Sequence, residues 1–279
     1  MKVIAVVQEK GGVGKSTTCY ALASIKAMEG YNVLMIDLDK QASLTKLCGI
    51  NREEGDKLDK TIYELLKEPS LLKKPSKDNH IPIRDILESI QYVDCFEEKR
   101  KGKTQDKLFF IPANFKVQTA DRMLTEQPRG GQRVLKNLLA ALDSDENDVI
   151  KFDYVFIDCA PAVNTLMVNS LMAADYAILP TLAQDLSVER LDLVAELVEE
   201  IVSEGENPDL KYGVLVTMYK GIRTTEKEIL KNLEGRYDVI GIVKDAADVN
   251  KAVDKGISIT VDKPYHPVSL VYGDVAKIL

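Results

Sequence analysis

Short runs of apolar, mostly β-branched residues punctuate the chain, with little polar alternation inside them: VIAVV at 3–7, VLMIDLD at 33–39, LFFIPA at 108–113, YVFIDCAP at 154–161, YAILP at 176–180 and YGVLVTM at 212–218. Continuous apolar character marks strands buried on both faces, as in a parallel sheet covered by helices. Weaker strand candidates follow at 239–243 (VIGIV) and 257–261 (ISITV). Helix-period stretches lie between the runs: 16–29, closed by Gly30, then 133–142, and 186–205. The alternation predicts an α/β fold, a mostly parallel twisted sheet flanked by helices on both faces. Right-handed crossovers bring the C-terminal ends of such strands to one edge, where ligands bind.

The stretch 51–106 departs from this pattern. It is rich in charge, contains EEKRKGKTQDK, and carries Pro69, Pro75 and Pro82. It reads as a charged helical and loop insertion with solvated charge runs. Repeated α/β units often reach 279 residues around one core, so 1–279 is expected to form a single domain.

Composition narrows the function. The chain is 45% hydrophobic and 29% charged, as globular proteins are. No apolar run approaches the roughly 20 residues that span a bilayer, and MKVIAVVQEKGG turns polar too soon for a secretory signal, so a cytoplasmic protein without a membrane partner is expected. Cys19, Cys48, Cys95 and Cys159 lack C-x-x-C spacing, and His80 and His266 lie far from all of them, which points to reduced structural thiols. A net charge of −7 argues against coating nucleic acid by bulk charge and leaves room only for a local basic patch.

The chemistry begins at EKGGVGKST, residues 9–17. A buried strand precedes it and a run of helix formers follows, the setting a phosphate loop requires. Gly11, Gly12 and Gly14 permit backbone angles that turn successive amides, with that of Val13, toward an anion at a helix N-terminus. Lys15 adds a positive charge near the β- and γ-phosphates, and the Ser16 hydroxyl, followed by Thr17, is placed for Mg²⁺. The usual loop has glycine at its first position; here Glu9 stands there, with a second lysine, Lys10, beside it. Phosphate-loop enzymes also need a carboxylate at the end of a neighbouring strand. Asp158 supplies one, and Asp37 and Asp39 supply two more, on one face if their strand extends that far.

These residues resemble the deviant Walker A ATPases of the ParA/MinD type, a class of P-loop NTPases, through KGGVGKST, DLDKQASLT and FDYVFIDCAP in order. IPAN at 111–114, VLVTMY at 214–219 and a short closing helix extend the likeness over almost the whole chain. The resemblance implies ATP and Mg²⁺ as cofactors and a nucleotide-sandwich homodimer in the ATP state. In it Lys10 reaches the partner's phosphates, Lys15 holds those of its own subunit, Ser16 and Asp158 bind Mg²⁺, Asp37 supports that shell, and Asp39 positions the attacking water. Thr217 and Met218 would neighbour the base.

Within the family, the chain is most similar to the short, Soj-like ParA proteins. The loop starts within ten residues of the N-terminus, leaving no room for a helix-turn-helix extension, and PVSLVYGDVAKIL lacks the basic face of a membrane-targeting helix. The resemblance therefore implies slow ATP hydrolysis stimulated by a ParB-like or other activating partner, nonspecific DNA binding by the ATP dimer, and a place in the cytoplasm at the nucleoid. Some features depart from it. Lys40 replaces a proline after Asp39, Ala42 and Ser43 replace Gly-Asn, and Asp245 and Asp248 stand where a DNA-contacting stretch has arginines. Candidate DNA contacts are Lys220, Arg223, Lys227 and Lys231, with Lys244, Lys251 and Lys255 behind them, interleaved with Glu226, Glu228 and Asp254. The competing reading is an ATP-gated protein-positioning module without DNA. An iron-sulfur reductase would need a cluster shared across the dimer, and a tyrosine kinase would need more C-terminal tyrosines than Tyr265 and Tyr272.

Overall fold

The computed structural model describes residues 1–74, 83–93, 108–127, 130–144 and 149–279. Eight strands form one sheet: β1 (Lys2–Val6), β2 (Val33–Asp37), β3 (Gln91–Tyr92), β4 (Leu108–Ile111), β5 (Tyr154–Asp158), β6 (Tyr176–Thr181), β7 (Lys211–Tyr219) and β8 (Val239–Lys244). Their order is β3-β4-β2-β5-β1-β6-β7-β8. Every pairing is parallel except the short edge strand β3, which runs antiparallel to β4. The glycine loop thus leaves a strand flanked on both sides, by β5 and β6.

Both faces of the sheet are dry, which is why its strands read as unbroken apolar runs. Ala5, Ile36 and Ile157 join one core, beneath the helices Val134–Asp143, Thr165–Ala173 and Asp185–Ser203. The intervening Ile4, Met35 and Phe156 join the other, against the helices Lys15–Met28 and Pro267–Ile278. Period-two alternation persists, but it sorts residues between two cores rather than between core and water.

The edges of several elements differ from the sequence expectation. The strand expected at 33–39 ends at Asp37, and the one expected at 154–161 ends at Asp158, because the chain leaves the sheet where its carboxylates begin. Residues 257–261 are not a strand. Ser258 caps a short helix, Ile259–Asp262, its hydroxyl accepting from the Thr260 amide, while the Thr260 hydroxyl donates to the Ala21 carbonyl. The polar residues that suggested alternation are therefore a cap and a tether. In the insertion, the helices Arg52–Gly55, Ile62–Leu66 and Ile83–Glu88 and a 3₁₀ turn at Pro69–Leu72 are formed; Thr61 and Glu64 close the second helix with a capping box. His80, Cys95, Pro75, Pro82 and the run EEKRKGKTQDK lie outside the described residues.

Asn169, fully buried, fastens the helix after β5 to the segment before Val134. Its carbonyl accepts from the Leu135 amide at 3.1 Å, and its amide donates to the carbonyls of Gly131 at 2.7 Å and Thr165 at 2.9 Å. Asn169→Ala would strand a buried donor and a buried acceptor. A loss of about 2–4 kcal/mol is expected, read as a lower urea midpoint with an unchanged slope.

Candidate active site

The chain leaves β1 at Val6 and enters the Lys15–Met28 helix through the glycine loop. Gly12 and Gly14 have φ of +74° and +82°, the left-handed region that suits glycine. Gly14 occupies the helix N-cap and no side chain caps that end, so its first amides are free to meet an anion. Lys15 is almost buried, and its Nζ donates to the Lys10 carbonyl at 3.1 Å, which bends the loop back over it. Burial lowers the Lys15 pKa, while Asp158, Cys159 and Asp39 pull it back up.

The front of the same loop is tied to the start of the Asp185–Ser203 helix. Lys10 Nζ donates to Ser187 Oγ at 2.6 Å and to Gln184 Oε1 at 3.3 Å. Glu9 takes both of its hydrogen bonds from Arg190, each at 3.1 Å. In this single chain, the lysine that breaks the ordinary loop pattern points away from its own phosphate cavity.

Two of the three carboxylates face each other in register, Asp37 at the end of β2 and Asp158 at the end of β5. They differ in what holds them. Asp37 is bonded on both oxygens: Oδ1 accepts from the Asp39 amide at 3.0 Å, and Oδ2 from the Thr45 amide at 2.9 Å and its hydroxyl at 2.8 Å. Burial raises its pKa to about 6, against the pull of those hydrogen bonds. Asp158 is equally buried, yet neither of its carboxylate oxygens has a hydrogen-bond partner. Burial, then the charge of Asp37, pushes it well above the carboxylate range; the nearby Ser16 hydroxyl and Lys15 pull the other way. An unpartnered buried carboxylate is costly unless a cation joins it. Asp158 with the Ser16 hydroxyl is an oxygen donor set that fits Mg²⁺. Asp37, through its three hydrogen bonds, also shapes the turn.

That turn carries Asp39, whose Oδ1 accepts from the Gln41 amide at 2.9 Å. Ala42 closes it with φ +51°, a left-handed angle that costs a residue with a Cβ about 1–2 kcal/mol. The Lys40 side chain swings to Gln118 at 3.0 Å. The substitutions in DKQAS thus leave the turn closed, with its strain carried by Ala42.

A cavity of about 440 Å³ opens above these groups. Gly11, Gly12, Gly14, Lys15, Ser16 and Thr17 line one side, and Asp39 and Pro161 are also on its wall. Ser43, Lys46 and Leu47 of the short helix Ser43–Leu47 complete it with Met218 and Val253. Met218 has φ +51°, and its Cε lies 3.7 Å from the point where a Cβ on Gly14 would sit. Thr217 and Val13, expected among the nucleotide contacts, are buried and do not line the cavity. The Thr217 hydroxyl donates instead to the carbonyls of Val13 at 2.9 Å and Thr181 at 3.2 Å, pinning the loop to two strands. Ser43, Lys46, Leu47, Pro161 and Val253 escaped the sequence reading, because only the fold brings 43–47 and 247–254 to the loop.

The candidate DNA contacts gather near β7 and β8, but many are engaged. Lys220 pairs with Asp245 at 3.4 Å; Lys251 and Lys263 pair with Asp248 at 3.3 and 2.7 Å; Lys255 pairs with Asp262 at 3.7 Å. Arg223 precedes the Thr224–Arg236 helix, on which Lys227 and Lys231 are exposed one turn apart, and Lys244 is exposed at the end of β8. Among the described residues, no helix is long and apolar enough to cross a membrane.

A glycine loop at an open helix N-terminus, backed by a buried carboxylate at the next strand's end, defines a phosphate-loop nucleotide site. The AAA domain family model matches residues 1–212. An uncharacterized protein of Methanocaldococcus jannaschii is 31% identical over 99% of this chain and 97% of its own length. Chromosome partitioning protein ParA of Myxococcus xanthus is 27% identical over 85% of this chain and 71% of its own. The cobyrinic acid a,c-diamide synthase structure from Mycobacterium smegmatis, with bound ATP analog and magnesium, superposes with a TM-score of 0.71 at 25% identity, covering 99% of this chain and 93% of that one. The chain belongs to the AAA domain family, as a P-loop ATPase of the ParA/MinD type.

The raised pKa of Asp37 has a sign that can be checked. Because its folded pKa, about 6, exceeds the ordinary carboxylate value, the folded state holds a proton across this window that the unfolded chain has released. Its contribution is intact below about pH 4 and is lost as pH rises through about 6. The ligand-free stability of Asp37→Asn relative to the parent should therefore improve by about 3 kcal/mol between pH 4 and 7, as measured by denaturant titration.

Proposed function

We propose that the protein is an ATP-dependent molecular switch for DNA partitioning or positioning. ATP with Mg²⁺ closes a sandwich homodimer that binds nonspecific DNA, and hydrolysis stimulated by an activating partner releases it. The observation that carries the nucleotide part is the unpartnered, buried Asp158 beside Ser16 and the open glycine loop. In this reading the loop amides and Lys15 hold the phosphates, Ser16 and Asp158 hold the metal, and Asp39, on the cavity wall, orients the water. Bound Mg²⁺ would neutralise phosphate charge as it develops. Asp37 acts by fixing the turn on which Asp39 stands.

Lys10 supplies the dimeric part. Its place on Ser187 and Gln184 keeps it off the subunit's own phosphates, which suits a residue whose target is the site of a second copy. ATP then favours the dimer by its differential affinity for the closed state. Lys10→Ala should lose ATP-dependent dimerisation in gel filtration while keeping ADP affinity within about threefold, a shift under 1 kcal/mol. A mutant that dimerises and turns over ATP like the parent would sink the assignment.

A second reading, an ATP-gated positioning module that works through proteins alone, is favoured by one observation: Lys220 and Lys255 are paired with Asp245 and Asp262, and Lys251 and Lys263 share Asp248. DNA binding under the first reading falls to Arg223, Lys227, Lys231 and Lys244. It should appear with ATP and not ADP, and with at most four such contacts from each subunit of the dimer it should weaken by up to about 10⁴-fold between 50 and 200 mM salt. Dimerisation without any shift of DNA at low salt would select the protein-only reading.

A further inference from the structure

We infer that Lys46 is an additional nucleotide ligand, a cation that meets the phosphate nearest the sugar. The inference rests on reading the 440 Å³ cavity as the nucleotide site. Lys46 lines that cavity from the short helix Ser43–Leu47, its side chain exposed and without an ion pair or hydrogen bond to another described residue. That sets it apart from the cations around β7 and β8, several of which are paired with carboxylates.

Charge balance at the site gives this free ammonium a role. Asp39 lines the cavity, Asp37 and Asp158 are buried at the same sheet edge, and the charges of Asp158 and Asp39 act on the nearly buried Lys15. Lys10 is turned away onto Ser187. A nucleotide adds further negative charge to a site whose own subunit offers one inward lysine, so a second cation facing the cavity lowers the cost of entry.

The neighbours of Lys46 decide which phosphate it meets. Lys15 and Ser16 serve the far phosphates and the metal. Lys46 comes to the cavity beside its sequence neighbour Leu47, which with Val253 and Met218 supplies the large apolar side chains suited to a base and sugar. A cation next to such an apolar neighbour meets the phosphate that joins sugar to chain, and ADP and ATP both carry it.

The test is calorimetric titration of MgADP and of a slowly hydrolysed ATP analogue into the parent, Lys15→Ala, Lys46→Met and Lys46→Arg. Lys46→Met keeps the apolar stem and removes the charge. It should weaken both nucleotides by about tenfold, the loss of one charge-assisted contact, with a shallower dependence of affinity on salt and an unchanged ligand-free melting temperature. Lys46→Arg should stay within about threefold of the parent. Parent-like affinity in Lys46→Met beside lost binding in Lys15→Ala would overturn this inference and leave the nucleotide site standing. A loss confined to the ATP analogue, or an equal loss in Lys46→Arg, would also overturn it. A parent that binds neither nucleotide would remove the site reading and Lys46 with it.

Discussion

Two carboxylates buried side by side at the ends of adjacent parallel strands, Asp37 and Asp158, are the constraint around which this sheet edge is built. Neither would be tolerated in a dry core without compensation. Asp37 is compensated from within, by two backbone amides and the Thr45 hydroxyl, and that bonding draws residues 37–45 into a compact turn. Thr45 in turn accepts from the Ala113 amide, so the turn is fixed to the end of β4 as well. Asp158 is left uncompensated, and the fold keeps beside it the Ser16 hydroxyl and Lys15. One member of the pair organises the protein and the other waits for a cation.

The same division appears on the loop side. Thr217 anchors Val13 to β6 and β7, the Lys15 ammonium holds the Lys10 carbonyl, and Glu9 grips Arg190. Each of these contacts spends a polar group on shape. Left for a ligand are the loop amides at the uncapped helix end, the Ser16 hydroxyl and the Asp158 oxygens. Gln8 Nε2, Ser24 Oγ and Asn114 Nδ2 are also buried without a hydrogen-bond partner, so it is the gathering of such groups at one helix end and one strand end that marks the site.

The sheet was readable because its strands are buried on both sides: unbroken apolar runs announced β1, β2, β4, β5, β6 and β7, and the glycine loop announced what followed β1. The half-buried VIGIV also became a strand, β8. ISITV alternates like a strand and is well buried, but its Ser258 and Thr260 form a cap and a bond to the Ala21 carbonyl. The helices Val117–Thr125 and Ala247–Asp254 are amphipathic but only nine and eight residues long, too short for their period to stand out in a charged chain. For the site, the phosphate-side residues were visible because their spacing is local. Val253, Leu47 and Lys46 were not, since their approach to the loop depends on packing between segments that are not local in sequence. Thr217 shows another limit: sequence placed it near the nucleotide, and only coordinates add that its hydroxyl holds the loop through Val13.

Position 10 brings these arguments together. A lysine beside a phosphate loop ought to be drawn into the anion site by charge alone, yet its ammonium is held at 2.6 Å by Ser187 on another helix. Two forces oppose the inward pose: Lys15 already occupies the space by the carboxylates, and a second ammonium beside it would add like-charge repulsion in a buried setting. The adjacent Glu9–Arg190 pair reinforces the outward pose by fixing the preceding residue to the same helix. The loop is thus divided at Lys10, with everything after it facing inward and everything before it fastened to Asp185–Ser203. Any partner that engages Lys10 must compete with Ser187 and Gln184, so its engagement is coupled to the position of that helix. Nucleotide chemistry in the loop and the outer surface of the fold are therefore mechanically joined at one residue.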